Sequence, residues 1–186
     1  MFTIKSLVAT LLLIGSASAA PTRTIRTTPS TTVALTGVTH SVVAGLGGLR
    51  FDPDNVVAAV GDVVEWHFLP RNHSVVQSSF ADPCNPLPDS AGFSSGFSFA
   101  TAEGQSDQVF QVVVEDARPM WYYCSQTLGA HCQNGMVGVI NQNFDSQEFT
   151  LAKYRQAAAE TDTSVTPPSL LQGGTVLPNP NPNGGF

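Results

Sequence analysis

In the middle of the chain, apolar and polar residues alternate with a period of two. In the clearest run, Val64, Trp66 and Phe68 alternate with Glu65 and His67. Alternation of this kind is typical of a β-strand with one face on a core and the other toward solvent. We therefore expect the two polar side chains to lie on a solvent-exposed or edge face.

Further short runs of Val, Phe and aromatic residues lie at 109–114, 120–124 and 137–140, separated by Gly, Pro and Asp. Residues of these types favour strands, and the breaks between them favour turns. Short strands at this spacing predict a mainly β fold, a Greek-key β-sandwich or small barrel, over residues 33–143.

One helix is predicted, over residues 144–161. Asp145 and Glu148 fit a capping box, and Phe144 and Phe149 fit a hydrophobic staple. Three apolar residues at helical spacing then form a stripe that can pack on the sandwich, namely Leu151, Tyr154 and Ala158.

The two ends of the chain differ from its middle. Residues 1–20 have a basic Lys5, an apolar run and a small-residue cleavage pattern, as expected of a secretory signal peptide that is too short to span a membrane. Residues 21–32 are rich in Thr and Pro and predict a flexible arm. Residues 162–186 carry no charge after Asp162 and predict a disordered Pro/Asn/Gly tail.

Composition and the absence of known motifs argue against several classes of function. The 14 acidic residues outnumber the 8 basic ones, which argues against a nucleic-acid partner. The 3 cysteines are an odd number, so an exported chain leaves one thiol to be explained. The sequence has no His-x-His, Gly-x-Ser-x-Gly or HExxH motif, and we therefore expect no enzymatic activity.

Candidate metal ligands cluster in one segment. Cys124, His131 and Met136 fall on a predicted loop between two strands, and His73 lies upstream at the end of another strand. Two imidazoles, a thiolate and a weak thioether are the ligand set of a blue copper site. Zinc also binds imidazole and thiolate, but the neighbouring thioether disfavours it.

These residues, in this order, resemble the cupredoxins of the plastocyanin and phytocyanin type. The segments 72–80, 82–86 and 122–126 resemble more closely the fungal extracellular serine-rich cupredoxin-like proteins. The likeness covers roughly residues 37–142. Phytocyanins usually have four residues between the ligand Cys and the ligand His, whereas six separate Cys124 from His131 here.

The resemblance implies one copper per chain, bound by His73, Cys124, His131 and Met136. It also implies that Cys84 and Cys132 form a disulfide, which leaves Cys124 free. A Cys124–Cys132 bridge with Cys84 free remains an alternative.

Two neighbours of His73 also have predicted roles. Ser74 occupies the position at which cupredoxins often place a hydrogen-bond donor to the thiolate. Asn72 begins the sequon Asn72-His73-Ser74 and is a candidate for N-glycosylation.

The function expected from this resemblance is one-electron transfer by a secreted, extracellular or cell-wall-associated monomer with an unidentified redox partner. Two alternatives stay open: a copper storage or delivery module, and a structural or interaction protein of the cell surface.

Overall fold

Nine β-strands and one α-helix are formed by residues 32–185, the part of the chain that this computed structural model describes. The predicted signal peptide and all but the last residue of the predicted arm lie outside the described residues. The elements in chain order are β1 (Thr39–Ala44), β2 (Phe51–Asp52), β3 (Asn55–Val56), β4 (Val63–Phe68), β5 (Val76–Ser78), a 3₁₀ turn (Pro88–Ser90), β6 (Gln108–Val113), β7 (Met120–Tyr123), β8 (Val137–Ile140), α1 (Leu151–Ala159) and β9 (Thr175–Pro178).

The strands form two mixed sheets. One has the order β2-β1-β4-β6-β9 and the other the order β3-β8-β7-β5. Strands β1 and β4 are parallel, with Val42 opposite Trp66, and β3 is parallel to β8. The remaining pairs are antiparallel. The prediction of a mainly β sandwich with one C-terminal helix is confirmed.

An aromatic core fills the space between the sheets. Trp66 of β4 and Tyr122 of β7 meet edge to face, with ring centroids 5.4 Å apart and planes at 83°. Phe93 and Phe110 pack on the same indole at 5.6 Å and 5.9 Å. All four side chains are buried, and Trp66 belongs to the apolar face of the alternating pattern in β4, whereas Phe93 comes from the connection between β5 and β6.

Helix α1 is shorter than predicted. It begins at Leu151 and not at residue 144, because Thr150 is its N-cap and accepts a hydrogen bond from the Lys153 amide. The predicted capping box is not formed: the Ser146 hydroxyl instead accepts from the amides of Glu148 and Phe149 and holds that stretch in a turn. The predicted apolar stripe is confirmed, since Leu151, Tyr154 and Ala158 are the buried residues of the helix.

The prediction of a disordered tail from residue 162 is wrong for the described residues. Strand β9 pairs antiparallel with β6, with Val176 opposite Phe110. Before it, Gln172 exchanges two backbone hydrogen bonds with Ser94. We call residues 161–174, which run from α1 to β9, the strap. Pairing with a distant strand supplies the order that the uncharged composition does not predict.

The polar face of β4 is covered and not open to solvent, contrary to the sequence expectation. Glu65 and His67 are each only 5% exposed and lie 2.8 Å apart. Gln105 contacts His67 and donates to the carbonyl oxygen of Gly184, so the segment around Gly184 lies over this face. None of the helices within residues 32–185 combines the length and the apolar character needed to cross a bilayer.

Candidate metal centre

Strand pairing brings the two ends of the ligand set together. Strands β5 and β7 are antiparallel, with Val76 opposite Tyr123. His73 lies shortly before β5 and Cys124 directly after β7, so both residues lie at the same end of the sheet. The loop between β7 and β8 then carries His131 back to this end.

Three donor atoms converge there. The Nδ1 atoms of His73 and His131 are 3.2 Å apart, and the Cys124 Sγ is 3.4 Å from His131 Nδ1. Their ligand atoms all lie within 4.8 Å of one another. Among the residues that the structure describes, this is the one cluster of three or more His, Cys, Asp or Glu side chains with such spacing.

Burial sets the protonation of this cluster. The pKa of His73 is lowered to about 4, chiefly by loss of solvent and secondly by the nearby His131. The pKa of His131 is also lowered, chiefly by loss of solvent and secondly by the charge of Arg71. Burial raises the pKa of the Cys124 thiol. The two imidazoles are therefore neutral at physiological pH and available as electron-pair donors, as a metal requires.

The Cys124 sulfur receives hydrogen bonds from the residue that follows His73. The Ser74 amide donates to Sγ at 3.3 Å, and the Ser74 hydroxyl lies 3.9 Å from the same atom. The position proposed from the sequence thus contacts the sulfur twice. Donors of this kind stabilise a thiolate and tune a metal bound to it.

Gly45 lies against the imidazole of His73. A Cβ atom added to this glycine would be 2.6 Å from His73 Nε2, closer than real Cβ atoms approach other atoms. Nε2 itself is buried and makes no hydrogen bond to the described residues. The other nitrogen of the ring, Nδ1, is the one that faces His131.

The structure also describes the other site residues predicted from the sequence. Met136 is fully buried, and its carbonyl oxygen accepts from the Cys124 amide at 3.0 Å while its amide donates to the His131 carbonyl oxygen. Cys84 and Cys132 form a disulfide, and Cys124 is the free cysteine. The alternative Cys124–Cys132 bridge is therefore not the one formed. The Oδ1 atom of Asn72 is buried.

Sequence reasoning missed four residues at this site. Gly45 lies against His73, and Ser125 contacts the Ser74 hydroxyl. Thr166 in turn contacts the Ser125 hydroxyl, and the charge of Arg71 acts on His131. A non-glycine residue with positive φ is uncommon, and Arg71 has φ 93°, but this strain is not visible in the sequence. Thr166 lies on the strap, for which the composition predicted disorder.

Two curated proteins of Arthroderma benhamiae are similar to the chain. One, named a probable GPI-anchored cupredoxin-1, is 33% identical over 159 residues, which cover 83% of this chain and 79% of that protein. The other, named an extracellular serine-rich protein, is 36% identical over 148 residues. That match covers 77% of this chain but 55% of the relative, so the chain spans about half the length of this relative.

Solved structures with a similar sandwich are more distant. Pseudoazurin from Hyphomicrobium denitrificans is 20% identical, with a TM-score of 0.38 and coverage of 67% of this chain and 98% of that chain. Auracyanin A from Chloroflexus aurantiacus, described as a "blue" copper protein, is 18% identical, with a TM-score of 0.39 and coverage of 55% of this chain and 96% of that chain. No protein-family model matches the chain.

The chain belongs to the cupredoxin family. The identity to the GPI-anchored cupredoxin extends over most of both proteins, and the two-sheet sandwich is the fold that the sequence resemblance implied. Together with the cluster of His73, Cys124 and His131, family membership supports a blue copper protein in general terms.

Proposed function

We propose that this protein is a secreted type 1 copper protein that transfers single electrons through a site formed by His73, Cys124, His131 and Met136. The observation that carries the proposal is the convergence of one buried sulfur and two buried Nδ1 atoms at 3.2–3.4 Å. Copper, when bound, would supply a one-electron couple between Cu(II) and Cu(I).

The donor set fits copper on three counts. Imidazole nitrogen and thiolate sulfur bind copper in both oxidation states, and the soft thioether of Met136 favours the reduced one. Both His pKa values are lowered, so the imidazoles need not lose protons before they bind a cation. The Ser74 amide already donates to the sulfur, which offsets part of the cost of burying a thiolate.

The chain's own residues would keep the site rigid and dry. His73, Cys124 and His131 are 1%, 0% and 3% exposed, so little solvent has to reorganise around them when charge changes. Two backbone hydrogen bonds tie Met136 to Cys124 and His131. A site that moves little on gaining an electron exchanges electrons quickly, and for this reason we favour electron transfer over storage.

A surface at the ligand loop would admit electrons. Leu128 is 84% exposed, and Gly129 lies beside His131, because a Cβ atom at residue 129 would be 3.6 Å from the His131 ring. The loop thus offers a small apolar surface next to a ligand imidazole, as suits brief contact with a redox partner.

Location outside the cell is part of the proposal. It is supported by the signal-like residues 1–20, by the Cys84–Cys132 disulfide and by the names of two relatives, one extracellular and one GPI-anchored. We propose a monomer that associates with the cell wall.

The decisive experiment is addition of Cu(II) to the mature protein, followed by visible spectroscopy. We expect an intense thiolate-to-copper band in the wild-type protein and its loss in Cys124→Ser, while the Cys84–Cys132 bridge persists. Folded wild-type protein without such a band would overturn the proposal. A band without reversible reduction and fast self-exchange would favour storage instead.

A further inference from the structure

Three hydroxyl groups form a row that leads from the strap to the Cys124 sulfur. The Thr166 hydroxyl donates to Ser125 Oγ at 3.1 Å, and Ser125 Oγ is 2.9 Å from Ser74 Oγ. The Ser74 hydroxyl in turn lies 3.9 Å from Cys124 Sγ. Ser74 and Ser125 are 0% and 1% exposed, so the hydroxyls of these two residues are shielded from bulk solvent.

Counting donors and acceptors gives the row a direction. A hydroxyl oxygen has one proton to donate and two lone pairs that accept. The Ser125 amide already donates to Ser74 Oγ at 2.9 Å. If the Ser125 hydroxyl also donates to Ser74 Oγ, both lone pairs of that oxygen are used, and the Ser74 proton points to the sulfur.

The hydrogen bond between Thr166 and Ser125 decides whether the Ser125 hydroxyl donates to Ser74. Because Ser125 Oγ accepts from Thr166, its own proton is left for Ser74. If Ser74 donated to Ser125 Oγ instead, the buried Ser125 proton would have to go to Thr166 Oγ1. Thr166 would then have to turn and donate to the Ser125 carbonyl oxygen at 3.5 Å, a longer and weaker bond. When a bound metal makes Cys124 a thiolate, its negative charge would strengthen the chain further.

We propose that Thr166 is a positioning residue whose hydroxyl directs a hydrogen-bond chain, through Ser125 and Ser74, onto the Cys124 sulfur. The strap, which lies outside the predicted sandwich domain, thereby takes part in the metal centre. The effect on bound copper rests on the proposed function, whereas the direction of the chain does not.

The strap is held firmly at this point. The Val165 amide donates to the Cys84 carbonyl oxygen at 2.8 Å, and the Tyr123 hydroxyl donates to the Val165 carbonyl oxygen. One residue earlier, the Ser164 hydroxyl donates to Gln133. These contacts fix the backbone next to Thr166, so a change at its side chain alone need not displace the strap.

The first test uses the metal-free, reduced protein. Proton NMR in water should show a slowly exchanging Ser74 hydroxyl proton close to the Cβ protons of Cys124. Thr166→Val has the same shape without the hydroxyl and should lose this protected proton, whereas Thr166→Ser should keep it. Thr163→Val, at an exposed position of the same strap, is the matched control and should match the wild type.

The second test uses the copper-loaded protein. A hydrogen bond withdraws electron density from the sulfur, so its loss should move the charge-transfer band to longer wavelength and lower the reduction potential. We expect Thr166→Val to lie between the wild type and Ser74→Ala, because Thr166→Val keeps the Ser74 hydroxyl near the sulfur, whereas Ser74→Ala removes it. Thr166→Ser should restore wild-type values.

Two results would overturn the inference. One is a Thr166→Val protein that folds normally and keeps both the protected proton and the wild-type band. The other is equal shifts in Thr166→Val and Thr163→Val, which would indicate a general effect on the strap. If wild-type protein gave no charge-transfer band, the proposed function would fail, and the metal-free NMR test would still decide the direction of the chain.

Discussion

Replacing Gly45 by alanine should damage the candidate metal centre although it replaces none of the proposed ligands. The new methyl group would lie 2.6 Å from His73 Nε2, and an ordinary contact needs about 0.8 Å more. His73 is buried at 1% exposure, so its ring has little room to retreat. We expect the ring to tilt and the Nδ1 atom to move away from His131.

Two costs add up in this variant. Gly45 has φ +99°, a left-handed conformation that costs alanine about 1–2 kcal/mol. Crowding in a packed interior costs about 1–3 kcal/mol more. Gly47 is the matched control, because it also has positive φ, +66°, but no atom lies within 4 Å of its Cβ position. Gly47→Ala should incur only the first cost.

Urea unfolding of the metal-free variants measures both costs, and the visible spectrum of the copper-loaded variants reports the ligand geometry. We expect Gly45→Ala to lose more stability than Gly47→Ala and to have a weaker or shifted charge-transfer band. Equal losses of stability in the two variants, with wild-type spectra in both, would refute the contact between residue 45 and His73.

Three further changes have expected outcomes. The pKa of Asp62 is lowered to about 2, chiefly by a hydrogen bond from Thr36 and secondly by one from His40. The ionised Asp62 carboxylate therefore stabilises the fold fully above the ordinary pKa of 3.8, and this stabilisation is lost as the pH falls toward 2. The stability difference between wild type and Asp62→Asn, from urea unfolding, should therefore shrink between pH 4 and pH 2; a constant difference would contradict this. Removal of the disulfide in the Cys84→Ala/Cys132→Ala protein should cost about 4 kcal/mol, because it closes a loop between residues 48 apart, and a loss below about 1 kcal/mol in urea unfolding would count against the loop-entropy reasoning. Arg71→Ala removes a positive charge that acts on both imidazoles, so oxidation of the copper-loaded protein by ferricyanide, an anion, should slow and depend less on salt, while a rate unchanged at low salt would exclude steering by this residue.

The sandwich was predictable because its signal is local. Alternation in β4 places Trp66 and Phe68 on the core face whatever the rest of the chain does, and the helical stripe of Leu151 and Tyr154 works in the same way. The start of the helix was not predictable in this way, because two residues can each act as an N-terminal cap: Thr150 accepts from the Lys153 amide, and Ser146 accepts from the Phe149 amide. Pattern alone does not rank such caps.

The site was predictable only where chemistry is concentrated in the sequence. Cys124, His131 and Met136 lie close together along the chain, and imidazole with thiolate is a recognisable combination. Gly45 and Thr166 reach the same place through strand pairing and the strap, at sequence separations that no local pattern encodes. The burial of His67 escaped prediction for the same reason, since the residues that cover it are near residue 184.

The position of β9 late in the chain affects how the protein is made. Strand β6 leaves the ribosome well before residues 175–178, and until they arrive one of its edges has unpaired amide and carbonyl groups. Such an edge can pair with another nascent chain and start aggregation. β9 closes that edge, and Pro178 at its end has no amide proton to offer a further strand. Synthesis of residues 175–178 is therefore the step at which the free edge of β6 is covered and the edge of this sheet moves to β9.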